Sequence, residues 1–140
     1  MPNRLPAPRA LAWLLALLTL ASHADEARLC KGDEADAAER LLVKRVEQER
    51  LYDGRHKAAC LSYGSLCTSD RVLVSVYEKH GEACGGDPNT APAIDHFAIG
   101  KKNHAIEWMD STSGDMLPFE AICARTPCAK STAPPGRPRG

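Results

Sequence analysis

Every cysteine of this chain lies behind a short apolar leader. Arg4 and Arg9 precede the run ALAWLLALLTLA (10–21), and Ser22, His23 and Ala24 place small residues where a signal peptidase reads. The pattern predicts a cleaved export signal over residues 1–24. The run falls short of the ~20 apolar residues needed to span a bilayer, and no second such run follows. No lipid anchor is expected, because Arg28 and Leu29 rather than a small residue precede the first cysteine. Cys30, Cys60, Cys67, Cys84, Cys123 and Cys128 are then an even set of thiols sent to an oxidising compartment, periplasmic or secreted, where disulfides are the default. A chain of this kind need not rely on its core alone.

Cleavage after Ala24 leaves 116 of the 140 residues, one modest domain whose core gives limited stability. Loss of Arg4 and Arg9 changes 18 Lys+Arg against 18 Asp+Glu to 16 against 18, a formal charge of −2. That balance argues against nucleic acid as a partner. There is no CxxC redox motif and no CxxCH for haem. His56 with Cys60 and His80 with Cys84 repeat an H-x-x-A-C pattern that could form a Cys2His2 zinc site, but exported thiols usually pair with each other. No metal and no cofactor is expected.

Residues 33–53 carry Ala35, Ala38, Leu42 and Val46 at helical spacing, with Leu41 widening the stripe. This predicts one amphipathic helix, with Asp33 as its cap and a stop at Asp53-Gly54. After Gly54 the period becomes two. Strands are predicted over 60–66 and 71–79, joined by a turn at 68–70, and over 93–99 and 104–109, joined at 100–103. Val72, Val74 and Val76 share one face, and Ile106, Phe97, Ile99 and Trp108 add apolar bulk. The expected fold is α+β: one N-terminal amphipathic helix packed on an antiparallel sheet of about four strands, stapled by disulfides. Regularity is lost beyond Asp110. The segment LPFEAIC (117–123) reads as a last short strand or a docking segment. The domain is expected over 25–130 and a disordered Pro/Gly/Arg tail over 131–140.

The stretch HGEACGGDPNTAP (80–92) joins two predicted strands and exceeds the ~2–5 residues of ordinary hairpin connections. It lacks the lysine and following helix of a phosphate loop. A calcium loop starting at Asp87 lacks its next ligand, its glycine and its closing acid. What remains is a constrained turn, with Gly85 and Gly86 permitting unusual backbone angles, Pro88 and Pro92 fixing others, and Cys84 tying one end. Structural connection and recognition loop both fit. As a recognition loop its polar contacts are His80, Glu82, Asp87 and Asn89.

An enzymatic reading would nominate Cys84 with His80 or His96, or the carboxylates Glu78 with Asp95 or Glu107. A free thiol would leave an odd cysteine, and no motif ties these residues to a reaction. No catalytic residue is assigned.

The segment VSVYEKHGEACGGDPNTAPAIDHFAI, continued by IEWMD and LPFE, resembles small exported bacterial proteins of unassigned activity. In size, export and stapling the chain is similar in architecture to periplasmic lysozyme inhibitors and to immunity proteins against wall-degrading toxins. That resemblance implies a non-enzymatic binding protein, with a protein partner such as a cell-envelope or secreted hydrolase. The alternatives are a small envelope hydrolase and a structural or ligand-carrying domain.

Six cysteines allow 15 pairings. A helix running away from Cys30 and a strand returning along it bring Cys67 beside Cys30. A hairpin about Ser69 sets Cys60 opposite Lys79, a short step from Cys84, and leaves Cys123 to Cys128. The expected bridges are Cys30–Cys67, Cys60–Cys84 and Cys123–Cys128.

Overall fold

The computed structural model describes residues 25–126 and Cys128. The expected export signal, the tail over 131–140 and Pro127 lie outside the described residues.

The chain forms β1 (Arg28–Leu29), α1 (Glu34–Gln48), a 3₁₀ turn (Ala58–Cys60), β2 (Leu61–Cys67), β3 (Arg71–Glu78), β4 (Ala93–Gly100), β5 (Ile106–Met109), β6 (Met116–Pro118) and α2 (Glu120–Arg125). All six strands make one antiparallel meander in chain order, with a helix on one face. The α+β class therefore holds, but the sheet has six strands rather than about four. The two added strands are the edges: β6 begins the segment expected as a last short strand or docking segment, whereas β1, two residues long, carries no readable alternation.

Ala38, Leu42 and Val46 are the buried stripe of α1. The next positions on that face are Glu49 and Arg50, so continuing the helix would bury charge. Instead α1 ends at Gln48, five residues before the expected stop at Asp53. The Leu51 N–H reaches the Val46 carbonyl (3.0 Å) and the Arg50 N–H the Glu47 carbonyl (3.1 Å), with Arg50 left-handed at φ 51°. This is a Schellman closure. It turns Leu51 and Tyr52 inward, where both are buried. Asp33 makes no side-chain cap, contrary to expectation; Glu34 instead reaches back to the Lys31 N–H (3.3 Å). Leu41, placed on the stripe by sequence, lies 36% exposed.

Val72, Val74 and Val76 face α1 with Phe97, Ile99 and Trp108 beside them, and Phe119 and Ile122 of the α2 region close the end of this core. Burying such side chains supplies roughly 1.5–3 kcal/mol each. The Phe97 and Phe119 rings stack at 5.9 Å. Asp95 sits on the same face, and its two oxygens accept from the Tyr52 hydroxyl and the Trp108 indole N–H, both at 2.9 Å. This carboxylate joins the end of α1 to the sheet. Burial, and then the charge of Asp95, push the Tyr52 hydroxyl pKa far up.

Lys101, in the β4–β5 turn, donates to the Thr68 carbonyl (2.7 Å) and to Glu34 (3.1 Å), tying two turns to the start of α1. His104 is left-handed in that turn (φ 55°), so β5 begins at Ile106 rather than at 104. Beyond Asp110, where irregular chain was expected, the buried Asp110 carboxylate accepts from the Thr112 N–H (2.9 Å) and from Arg125 (2.7 Å), and organises the passage to β6 and α2. The disulfides are Cys30–Cys67, Cys60–Cys84 and Cys123–Cys128, with Cα separations of 4.9, 5.6 and 5.1 Å. Their presence is the chemistry of an oxidising, extracellular environment. Among the described residues no helix is long and apolar enough to cross a membrane.

Candidate functional site

The 80–92 loop is built around His80. The sheet delivers it: the Lys79 N–H donates to the Cys60 carbonyl (2.7 Å), and the Glu78 N–H to the Pro92 carbonyl (3.0 Å). The register then shifts between Val76 and Tyr77, so that β3 and β4 part with extra twist just before the loop. Gly81 and Gly85 exchange hydrogen bonds at 2.9 and 2.7 Å, closing a small ring that the Cys60–Cys84 disulfide fixes to the start of β2. Gly85 and Gly86 both have positive φ, 78° and 75°. A Cβ at Gly86 would stand 2.6 Å from the His80 ring, so the loop backbone lies directly on that imidazole and only glycine fits there.

The His80 side chain is 17% exposed. Its Nδ1 is 2.7 Å from the Thr90 hydroxyl and its Nε2 3.5 Å from Glu78, which also meets His56 at 3.1 Å. The hydrogen bond from His56, assisted by His80, lowers the Glu78 pKa. Asp87 accepts from the Asn89 N–H and side-chain amide at 2.9 and 3.1 Å, making a tight polar turn.

The four candidate contacts thus separate. His80 points inward and props the loop. Asp87 and Asn89 are exposed but bonded to each other. Glu82 is exposed and enters no hydrogen bond or ion pair among the described residues. The nominated catalytic sets do not assemble. Cys84 and Cys60 are oxidised to each other, which removes the thiolates of both the zinc and the cysteine-nucleophile readings. Glu107 lies on the sheet face opposite Asp95 and pairs with Arg71 at 2.6 Å, while Glu78 is held by the histidines.

A second surface escaped the sequence reading. The sheet face turned away from α1 carries a groove of about 480 Å³ lined by Leu66, Leu73, Tyr77, Met109 and Met116. Leu66 is 43% exposed. On its floor the Ser75 hydroxyl lies 2.8 Å from His96 Nδ1. The signal for it was present in RVLVSVYE, where Leu73 and Tyr77 alternate with the three valines, so that both faces of β3 are apolar.

Fold and site together define a disulfide-stapled α+β domain: a helix on one face of an antiparallel meander, a fixed glycine-rich loop at one end and an open apolar groove on the other face. No protein-family model, no curated protein and no solved structure matches this chain.

Proposed function

We propose that this chain is a non-enzymatic binding protein of the periplasm or the secreted medium, which recognises another macromolecule through the 80–92 loop, its partner being a cell-wall hydrolase. The observation that carries the reading is the loop's preorganisation. A disulfide, a glycine ring and an inward histidine hold ten exposed residues, so little conformational entropy is lost on binding. Exposed loops on a rigid frame are where recognition concentrates. The choice of a hydrolase rests on the resemblance in size, expected export and cysteine stapling to lysozyme inhibitors and immunity proteins.

The test is inhibition of wall lysis. The oxidised protein is expected to slow a lysozyme-class hydrolase on a peptidoglycan suspension in a dose-dependent way. The triple variant Glu82→Ala, Asp87→Ala, Asn89→Ala should lose that effect while unfolding within a few degrees of the parent. No inhibition of, or binding to, any of a panel of glycan-cleaving and peptide-cleaving wall hydrolases overturns the choice of partner. Equal inhibition by the triple variant overturns the choice of loop.

One observation favours the second reading, a small envelope hydrolase: Ser75 and His96 stand at the separation of a nucleophile and its base. A fluorophosphonate probe discriminates. Labelling of Ser75 that vanishes in His96→Ala supports the hydrolase, and absence of labelling decides against it.

A further inference from the structure

The two edges of the sheet are treated differently. At one, β6 is three residues long, ends in Pro118 and passes at once into α2. Such an edge is closed to further pairing. At the other, β1 covers only Leu66 and Cys67 of β2, because the chain must leave at Cys30 to start α1. Residues 61–65 of β2 have no partner strand on that side among the described residues.

The direction of their main-chain groups follows from the hairpin. Thr68 pairs with Arg71 through the bond from the Thr68 N–H to the Arg71 carbonyl (2.9 Å), and Lys79 donates to Cys60 (2.7 Å). Hydrogen-bonded pairs alternate along an antiparallel ladder. The unbroken register from Leu61↔Glu78 to Cys67↔Val72 therefore turns the even-numbered residues of β2 toward β3. Tyr63 points its N–H and C=O groups the other way, out of the sheet, and so does the Leu61 carbonyl, while the Leu61 N–H closes the 3₁₀ turn on the Ala58 carbonyl. None of the usual protections stands there: the sequence LSYGS has no charge and no proline, and β2 has no bulge.

We propose that this open edge of β2, residues 61–65, is a strand-addition site that takes an extended segment of a partner protein, antiparallel to β2 and in line with β1. Main-chain donors and acceptors in strand spacing are met by another strand and by little else. Five residues offer about 17 Å of pairing. The side chains of the incoming strand alternate, and those on the face away from α1 fall beside the Tyr77 ring, which covers Gly64, and next to the groove of Leu66 and Leu73. The segment chosen is therefore one with apolar residues at every second position. The Cys60–Cys84 disulfide sets the 80–92 loop at the Leu61 end of the same edge, so one partner can meet both.

The site does not depend on the loop reading, and the experiment keeps them apart. The probes are a synthetic octapeptide with valine at every second position and threonine between, and two analogues N-methylated at alternate amides, one set facing β2 and the other facing away. Hydrogen exchange of the oxidised protein is followed by NMR. The Tyr63 amide should exchange fast in the free protein and slow at least tenfold with the peptide. The analogue methylated on the pairing side should bind at least about tenfold more weakly, the equivalent of ~1.4 kcal/mol, while the other binds as the parent. The loop triple variant should bind the peptide unchanged. Unaltered exchange of Tyr63 at millimolar peptide overturns the proposal, as does equal binding of both analogues. Concentration-dependent dimerisation that already protects the Tyr63 amide assigns the edge to a second copy and overturns it too.

Discussion

His80 is held by a count of protons. Thr90 has one hydroxyl hydrogen and gives it to the Asp87 carbonyl at 2.9 Å. The 2.7 Å contact between His80 Nδ1 and that hydroxyl is then a bond in which the imidazole donates. Nε2 faces the Glu78 carboxylate, with His56 on the carboxylate's other oxygen. In His80→Gln the amides of residues 81–89 are therefore expected to exchange faster than in the parent at the same pH, since the substitute cannot keep both ring contacts. Unchanged exchange there would contradict the role of His80 as the prop of the loop. Asp95 is the residue-scale opposite, a carboxylate that accepts from two buried donors and offers nothing to solvent chemistry. Asp95→Ala should cost about 2–4 kcal/mol, since it strands both the tyrosine and the indole donor, and Asp95→Asn less. Equal, small losses in chemical denaturation would show that the pair of bonds does not hold α1 to the sheet.

At the scale of elements, the end of α1 shows how a stripe is closed. Arg50 occupies the left-handed position where glycine is favoured, at a cost of roughly 1–2 kcal/mol for a residue with a Cβ. Its compensation is an exposed ion pair with Asp53 at 2.6 Å, and exposed pairs contribute little. Arg50→Gly is expected to raise stability by on the order of 1 kcal/mol, read as a higher midpoint in urea at unchanged slope. The same region marks what the sequence could and could not disclose. Ala38, Leu42 and Val46 announce the helix through their spacing, and the three valines announce β3. The early stop is invisible to periodicity, because Leu51 and Tyr52 are buried by a turn rather than by continuing the stripe. The first edge strand is hidden for a different reason: Arg28 and Leu29 pair only because neighbours are already in place, whereas the other edge falls at the start of LPFEAIC, which the sequence offers as a last short strand or a docking segment. In the candidate site, the glycines and prolines of 80–92 disclose a constrained loop. The inward turn of His80 depends on Gly86 and Thr90, six and ten residues away, and no local pattern carries that.

For the molecule as a whole, four carboxylates tie separate parts of the fold together, and each is held below the ordinary carboxylate range. Ser69, first through its hydroxyl and then its N–H, lowers Asp25 and fixes the start of the described chain to the β2–β3 turn. Lys101, with the Lys31 N–H, lowers Glu34. His56 lowers Glu78. The Thr112 N–H, with the charge of Arg125, lowers Asp110 against the effect of burial. The sign follows from linkage: a carboxylate with a depressed folded pKa binds fewer protons folded than unfolded, so the unfolded chain gains as acid is added. The stability these groups supply is complete above the ordinary carboxylate range, roughly pH 4–5, and is lost as pH descends through the lower folded values. The melting temperature of the oxidised protein is therefore expected to fall steeply below about pH 4. The disulfides do not prevent this, because they constrain the unfolded chain without altering its protonation. Asp110→Asn keeps the acceptor oxygen but removes the titration. That variant should melt lower than the parent at pH 6 and show a shallower decline between pH 5 and 2, so that the two curves converge in acid. Parallel curves from calorimetry across that interval would mean that Asp110 titrates alike in the folded and unfolded chain, and that its bonds to Thr112 and Arg125 do not tie α2 to the sheet.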